Sequence, residues 1–218
     1  MSQEDGDSYP ASAVSSWSGF VYQGKIALYH SLKIIHDGDL EFELQLDSSD
    51  DFAIYKNGKL HTAHQVKAKI GKYRSAYMKA LEQSALIEHD KIKGTTRYFH
   101  VSVCLDNTDD HRGSNGEIVK FYRYGENYHC GLGEIEGLTK DIIKKLFEKQ
   151  SITVSENLIN FNYCLLSEKI SIKAIHNHNL NQVGGISENK AAYEGRITAR
   201  SILDDLLTEN PYQNRDYF

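Results

Sequence analysis

The spacing of apolar residues changes period several times along the chain. Between Ser18 and His36, Phe20, Gly24, Leu28, Leu32 and Ile35 recur at three- and four-residue steps with Ala27 beside them. That pattern predicts a helix with one core-facing stripe. Gly24 costs about 1 kcal/mol of helix propensity, so a close packing contact is expected there. Asp37-Gly38 ends the helix, and the period then drops to two. Phe42, Leu44 and Leu46 alternate with Glu41, Glu43, Gln45 and Asp47, which predicts a half-buried strand. Asp51 to Tyr55 and Leu60 to Ile70 predict two more strands. Asn57-Gly58 joins them and supplies the positive φ angles of a type I′ hairpin turn. Ser75 to His89 is helical again, with Tyr77, Leu81 and Ala85 on one face and Met78 and Ala80 adjoining. From Arg97 to Leu105, Phe99, Val101 and Val103 alternate with Tyr98, His100 and Ser102, giving a fourth strand.

Asn107 to Gly116 is a loop by composition, and a soft domain boundary is set there. Beyond it the pattern predicts a strand over Ile118–Tyr124 and a short helix over Lys140–Glu148. Strands are expected over 158–166 and 169–175. A last helix over Glu188–Thr208 turns Ala192, Gly195, Ala199, Ile202, Leu203 and Leu206 inward. The order is that of an α/β protein: helix, three-strand meander, helix and strand, then a mixed C-terminal extension ending in a helix. Residues 1–16, polar and Ser-rich, read as a mobile tail. Residues 17–106 form the core and 107–218 the extension, to which an oligomer or partner contact is assigned as an expectation.

Composition narrows the class. With 218 residues, 40% hydrophobic and 25% charged, the chain suits a soluble globular protein. It holds no apolar run near the ~20 residues of a membrane span, and its N-terminus lacks a basic and an apolar region, so a cytoplasmic location is expected. Three separated cysteines, Cys104, Cys130 and Cys164, imply no disulfide framework. A net charge of −5 argues against coating nucleic acid by bulk charge but leaves room for a local basic patch.

The chemistry-bearing residues gather around the hairpin. Asp50 and Asp51 open the second strand, while Gln65 and Lys67 share one face of the third. Two carboxylates, an amide and a lysine at one sheet end suit phosphodiester hydrolysis. Mg²⁺ prefers hard oxygen ligands, and a lysine can orient water or balance charge in the transition state. The plainer account is a polar turn and an exposed strand lysine, since short motifs recur by chance. Lys67, Lys69, Lys72 and Arg74, with Tyr73 and Tyr77 interleaved, form a basic run suited to DNA phosphates or simply to solvent. Lys91, Lys93 and Arg97 offer a weaker second run. His129, Cys130, Cys164, His176 and His178 lack zinc-ligand spacing. His64 should face away from Gln65 and serve packing. Gly131-Leu132-Gly133 and Gly184-Gly185 carry no nucleotide-binding pattern.

Glu43 on the first strand, Asp50-Asp51 opening the second and Gln65-Val66-Lys67 closing the third, between two helices and before a fourth strand, resemble the PD-(D/E)XK restriction-endonuclease-like superfamily, in its Gln-x-Lys subgroup. Gly19-Phe20-Val21-Tyr22-Gln23 is similar to the Gly-x-x-Tyr-Gln opening of nuclease domains in bacterial anti-phage effectors. These include CBASS effector nucleases and the nuclease subunits of Lamassu and related ABC-three-component systems. The resemblance covers Ser18 to Leu105. It implies a restriction-endonuclease-like core and a metal-dependent endonuclease acting on double-stranded DNA. Glu43, Asp51 and Gln65 would be metal ligands, Lys67 the catalytic lysine, and Gln23 and Asp50 supporting residues. Lys69, Lys72 and Arg74 would contact DNA. The cofactor would be Mg²⁺, with Mn²⁺ able to substitute, and the partners a second copy or an SMC-like ATPase subunit.

Two departures from the pattern bear on the site. Gln65 replaces an acid, which lowers the negative charge around a metal. A strict two-residue hairpin at Asn57-Gly58 pairs Ile54 with His61 and so sets Asp50, not Asp51, opposite Gln65; choosing Asp51 requires a bulge. The alternative function is a non-catalytic scaffold subunit that uses the same fold to dock partner proteins or DNA.

Overall fold

The structure is a computed structural model that describes residues 14–46, 50–86 and 95–208. The expected N-terminal tail falls almost wholly outside the described residues, as do Asp47, Lys91 and Lys93. In chain order the elements are α1 (Val14–His36), β1 (Glu43–Leu46), β2 (Phe52–Lys56), β3 (Lys59–Lys67), a 3₁₀ turn (Arg74–Tyr77), α2 (Met78–Leu86), β4 (Thr96–Val101), β5 (His111–Arg112), β6 (Ile118–Phe121), α3 (Glu134–Lys149), α4 (Glu156–Gln182), α5 (Glu188–Glu194), β7 (Ile197–Thr198) and α6 (Ala199–Leu207). The strands form one mixed sheet in the order β5-β6-β4-β3-β2-β1-β7. β3 runs parallel to β4 and β4 to β6, while the other neighbours are antiparallel. The fold is therefore mixed α/β and ends, among the described residues, in a helix.

Alternation along the strands divides the core into two layers. Leu44, Leu46, Phe52, Ile54 and Val66 pack with Ile26, Leu28, Leu32 and Ile35 of α1, and with apolar residues of α3, α4 and α6. On the opposite face Phe99, Val101, Val119 and Phe121 pack with Tyr77, Leu81 and Ala85 of the second helical segment. Gly24 makes the close approach its position suggests: a Cβ there would lie 3.4 Å from Ile170 Cγ2 on α4. Phe20 departs from the expected stripe and is 50% exposed, because Tyr22 and Ile26 take the inward positions.

Three expectations for the C-terminal part are corrected. Residues 158–166 and 169–175 are not strands but lie within the single helix α4. Its buried positions, Ile159, Asn162, Tyr163, Leu166, Ile170, Ala174 and Asn177, recur at helical intervals, and Ser155 caps it by accepting from the Leu158 N–H at 3.2 Å. The helix expected over Glu188–Thr208 is broken at Gly195, where β7 pairs with β1 (Leu44 opposite Ile197, Glu43 opposite Thr198) before α6 begins. The loop over 107–116 contains β5, whose His111 pairs with Val119. Strands from both sides of residue 107 thus share one sheet.

Candidate active site

Local geometry at the hairpin decides which aspartate faces the third strand. Asn57 and Gly58 have φ of 51° and 71°, as a type I′ turn requires. Tyr55 pairs with Leu60 but Ile54 with Thr62, so His61 is an extra residue and the register shifts there. Phe52 consequently opposes His64, and one step further sets Asp51 opposite Gln65. The bulge needed to choose Asp51 is present. The Gln65 side-chain amide and the Val66 N–H, the latter at 2.6 Å, both donate to Asp51 Oδ2. Lys67 follows on the same strand face, close enough for its charge to act on both Asp50 and Asp51.

The electrostatics follow from burial. Asp50 is only 5% exposed and its pKa is pushed up to about 7, first by burial and then by the Asp51 charge; Ser84, Arg97 and Lys67 oppose the shift. Ser84 Oγ donates to Asp50 Oδ2 at 3.3 Å. Asp51 is also raised by burial, against the pull of Lys67, the Val66 N–H and Gln65. Gln23 of α1 and Asp51 line the same groove beside the ends of β1 and β2.

Glu43 is not brought to this place. The register sets it opposite Tyr55, four residues and roughly 13 Å along the sheet from Asp51 at about 3.3 Å per residue. Its carboxylate lies 3.3 Å from Arg196 Nη2, and that guanidinium stacks over Tyr193. Counting carboxylates strand by strand misses this, because antiparallel pairing sends the start of β1 to the end of the sheet opposite the start of β2. Arg74 is also already engaged: its guanidinium donates to Asn107 Oδ1 at 2.9 Å and to the Asp109 carbonyl. Arg97, assigned to the second basic run, is 3% exposed; its Nη1 donates to the Ser84 carbonyl at 2.7 Å, and its Nε lies 3.7 Å from Glu117 Oε2. Lys69 and Lys72 are exposed.

Mg²⁺ commonly takes one or two carboxylates, with water and phosphate completing its shell. Asp50 and Asp51, both pushed toward the neutral form by burial, fit as a minimal donor pair, because a bound divalent cation would offset their mutual repulsion. Gln65 adds an amide oxygen. Among the described residues no group of three His, Cys, Asp or Glu side chains is arranged to hold a metal.

A second polar assembly, not anticipated from the sequence, lies on the α1 side of the sheet. His64 faces there, away from Gln65, as alternation requires. Its Nδ1 is 2.9 Å from His100 Nε2 and its Nε2 is 2.8 Å from Thr62 Oγ1, while His100 Nδ1 is 2.7 Å from the Tyr124 hydroxyl. His30 Nδ1 meets the Tyr122 hydroxyl at 3.1 Å. Burial holds all three imidazoles well below the usual histidine range, His30 at about 3. The signal for it was a histidine on each of two strands, His64 on the face opposite Gln65 and His100 on the face opposite Phe99, which the parallel pairing of β3 with β4 brings together.

Residues 119–218 match the family described as C-terminal domain 1 of the ABC-three component (ABC-3C) systems. The match spans a little under half of the chain and supports an anti-phage defence setting with several components. No curated protein and no solved structure matches the chain. Among the described residues no helix is long and apolar enough to cross a membrane.

Proposed function

We propose that this chain is a metal-dependent DNA endonuclease subunit of an anti-phage defence complex. The observation that carries the reading is the bulge at His61, which aligns Asp51 with Gln65 and leaves Lys67 acting on both aspartates. Bound Mg²⁺ or Mn²⁺, held by Asp51 and Asp50 with Gln65 beside them, would supply charge neutralisation at the phosphorus and a more acidic water. Gln65 and the Val66 N–H fix the Asp51 carboxylate through two hydrogen bonds to one oxygen. Lys67 orients the attacking water and balances charge that develops on the phosphoryl oxygens. Gln23 supports the site from α1, and Lys69 and Lys72 hold flanking phosphates. Glu43 and Arg74 have no part in this assignment.

Plasmid cleavage in Mg²⁺ or Mn²⁺ by the purified protein and by Lys67→Ala tests it. Loss of cutting in the variant is expected; equal cutting by both removes the site. The partner complex, with a second copy or an SMC-like ATPase, belongs to the same proposal. A scaffold role is the second reading, favoured by the engagement of Glu43 with Arg196 and by a match confined to the C-terminal part. Mn²⁺ titration separates the two, because a scaffold is indifferent to Asp51→Ala.

A further inference from the structure

The space beside Asp51 constrains what a reacting strand must look like. A groove of about 210 Å³ runs from Asp51 and Gln23 between α1 and α4. Its walls are largely apolar: Trp17, Phe20 and Val21 from α1, Ile170, Ala174 and Ile175 from α4. Trp17 is 73% exposed and Phe20 50%, so both rings leave much of their surface uncovered. A strand whose phosphate reacts at Asp51 and Lys67 must place a neighbouring nucleoside in the space adjoining Asp51. Of the parts of a nucleotide, the phosphate is excluded from apolar walls by its desolvation cost, whereas a base has π-faces that stack on aromatic side chains. A duplex keeps its bases stacked on one another, so a base reaches such a groove only when unpaired or turned out of the helix.

We infer that the α1–α4 groove receives an unpaired nucleobase next to the scissile phosphate, which makes single-stranded or locally opened DNA the preferred substrate. This rests on the nuclease reading and adds the class of substrate to it. Trp17 is the chain's only tryptophan, so its emission reports on the groove directly. The full-length protein, in EDTA to prevent cutting, is titrated with a twelve-nucleotide oligothymidine (~12-mer, within the usual site sizes) and with a blunt duplex of equal length. The oligothymidine is expected to quench Trp17 with saturation, at about tenfold lower concentration than the duplex. Phe20→Ala, an exposed position that should leave the melting temperature unchanged, is expected to weaken that binding by about tenfold.

Equal quenching by both DNAs, no quenching, or an unaffected Phe20→Ala variant overturns the inference. So does an emission change produced by raising protein concentration alone, since a second copy would then cover the groove. Plasmid cutting in Mg²⁺ without quenching removes the groove's role and leaves the nuclease reading standing. Selective quenching by the oligothymidine with no cleavage of any DNA removes that reading and leaves a strand-binding groove.

Discussion

At Asp51 both donors, the Gln65 amide and the Val66 N–H, fall on the same carboxylate oxygen. An asparagine there can present its carbonyl oxygen to both, and it is relieved of the burial penalty that raises the Asp51 pKa. Asp51→Asn should therefore hold or raise thermal stability, by up to about 1 kcal/mol, while weakening Mn²⁺ binding at least about tenfold. Paired melting and Mn²⁺ titrations check this; a variant that binds metal normally contradicts the site. Glu43→Gln is expected to do the reverse. Metal binding should stay unchanged, and stability should fall by about 1 kcal/mol because the largely buried Arg196 guanidinium loses its carboxylate.

At the scale of elements, two glycines separate tolerable from intolerable contacts. A Cβ at Gly195 would sit 1.9 Å from Asn177 Oδ1, on the buried side of α4, so Gly195→Ala must displace the helix or the turn before β7. A loss of about 1–3 kcal/mol is expected in denaturant unfolding. Gly24→Ala meets Ile170 only at 3.4 Å and gains helix propensity, so unfolding should be neutral or harder by up to about 1 kcal/mol. These positions also mark what the sequence made legible. The first helix, the meander, its Asn-Gly turn and the fourth strand all followed from local period and turn chemistry. The bulge was deducible because two local rules disagreed about Asp50 and Asp51. The long helix α4 was missed because asparagine and isoleucine in ENLINFNYCLLSEKISIKAIHNHNLNQ obscure its stripe. The break at Gly195 was missed although it carries local marks, a glycine ending α5 and Thr198 capping α6 by accepting from the Ser201 N–H; only the pairing with β1 lacks a local signal. Glu43 is set apart by a different cause, the antiparallel register of β1 on β2, which carries it opposite Tyr55 and away from Asp51.

For the whole molecule, the segment matching the three-component family is not a detachable appendage. It contributes most of β6 at one side of the sheet and β7 at the other, while α3 and α4 cover α1. Tyr22 donates to the Cys130 carbonyl and Lys149 to the His36 carbonyl across that junction. A chain ending at residue 118 should fail to fold, seen as loss of cooperative melting; a cooperative transition would contradict the shared core. The buried histidines set the acid limit of the same core. Their folded pKa values lie below the unfolded value of about 6.5, so the unfolded chain binds more protons once pH drops under that value. Stability is present above about pH 6.5 and is lost as pH falls, by at most about 4 kcal/mol per pH unit for three such groups. Asp50, raised to about 7, and Asp51, also raised by burial, work in the opposite sense, their contributions being lost as pH rises through their folded values. They are at most two protons against three, which leaves a net loss of about 1.4 kcal/mol per pH unit on acidification. Denaturant titrations between pH 7.5 and 5 (about two units below neutral, the histidine window) should show this net loss, and His64→Phe should flatten it.

Both outermost strands, β5 and β7, are only two residues long. Among the described residues these two border strands offer little main chain for another polypeptide to zip onto, which disfavours growth by lateral strand addition. A partner of this subunit is therefore expected to be gripped through side chains on its helices and loops rather than by an added strand.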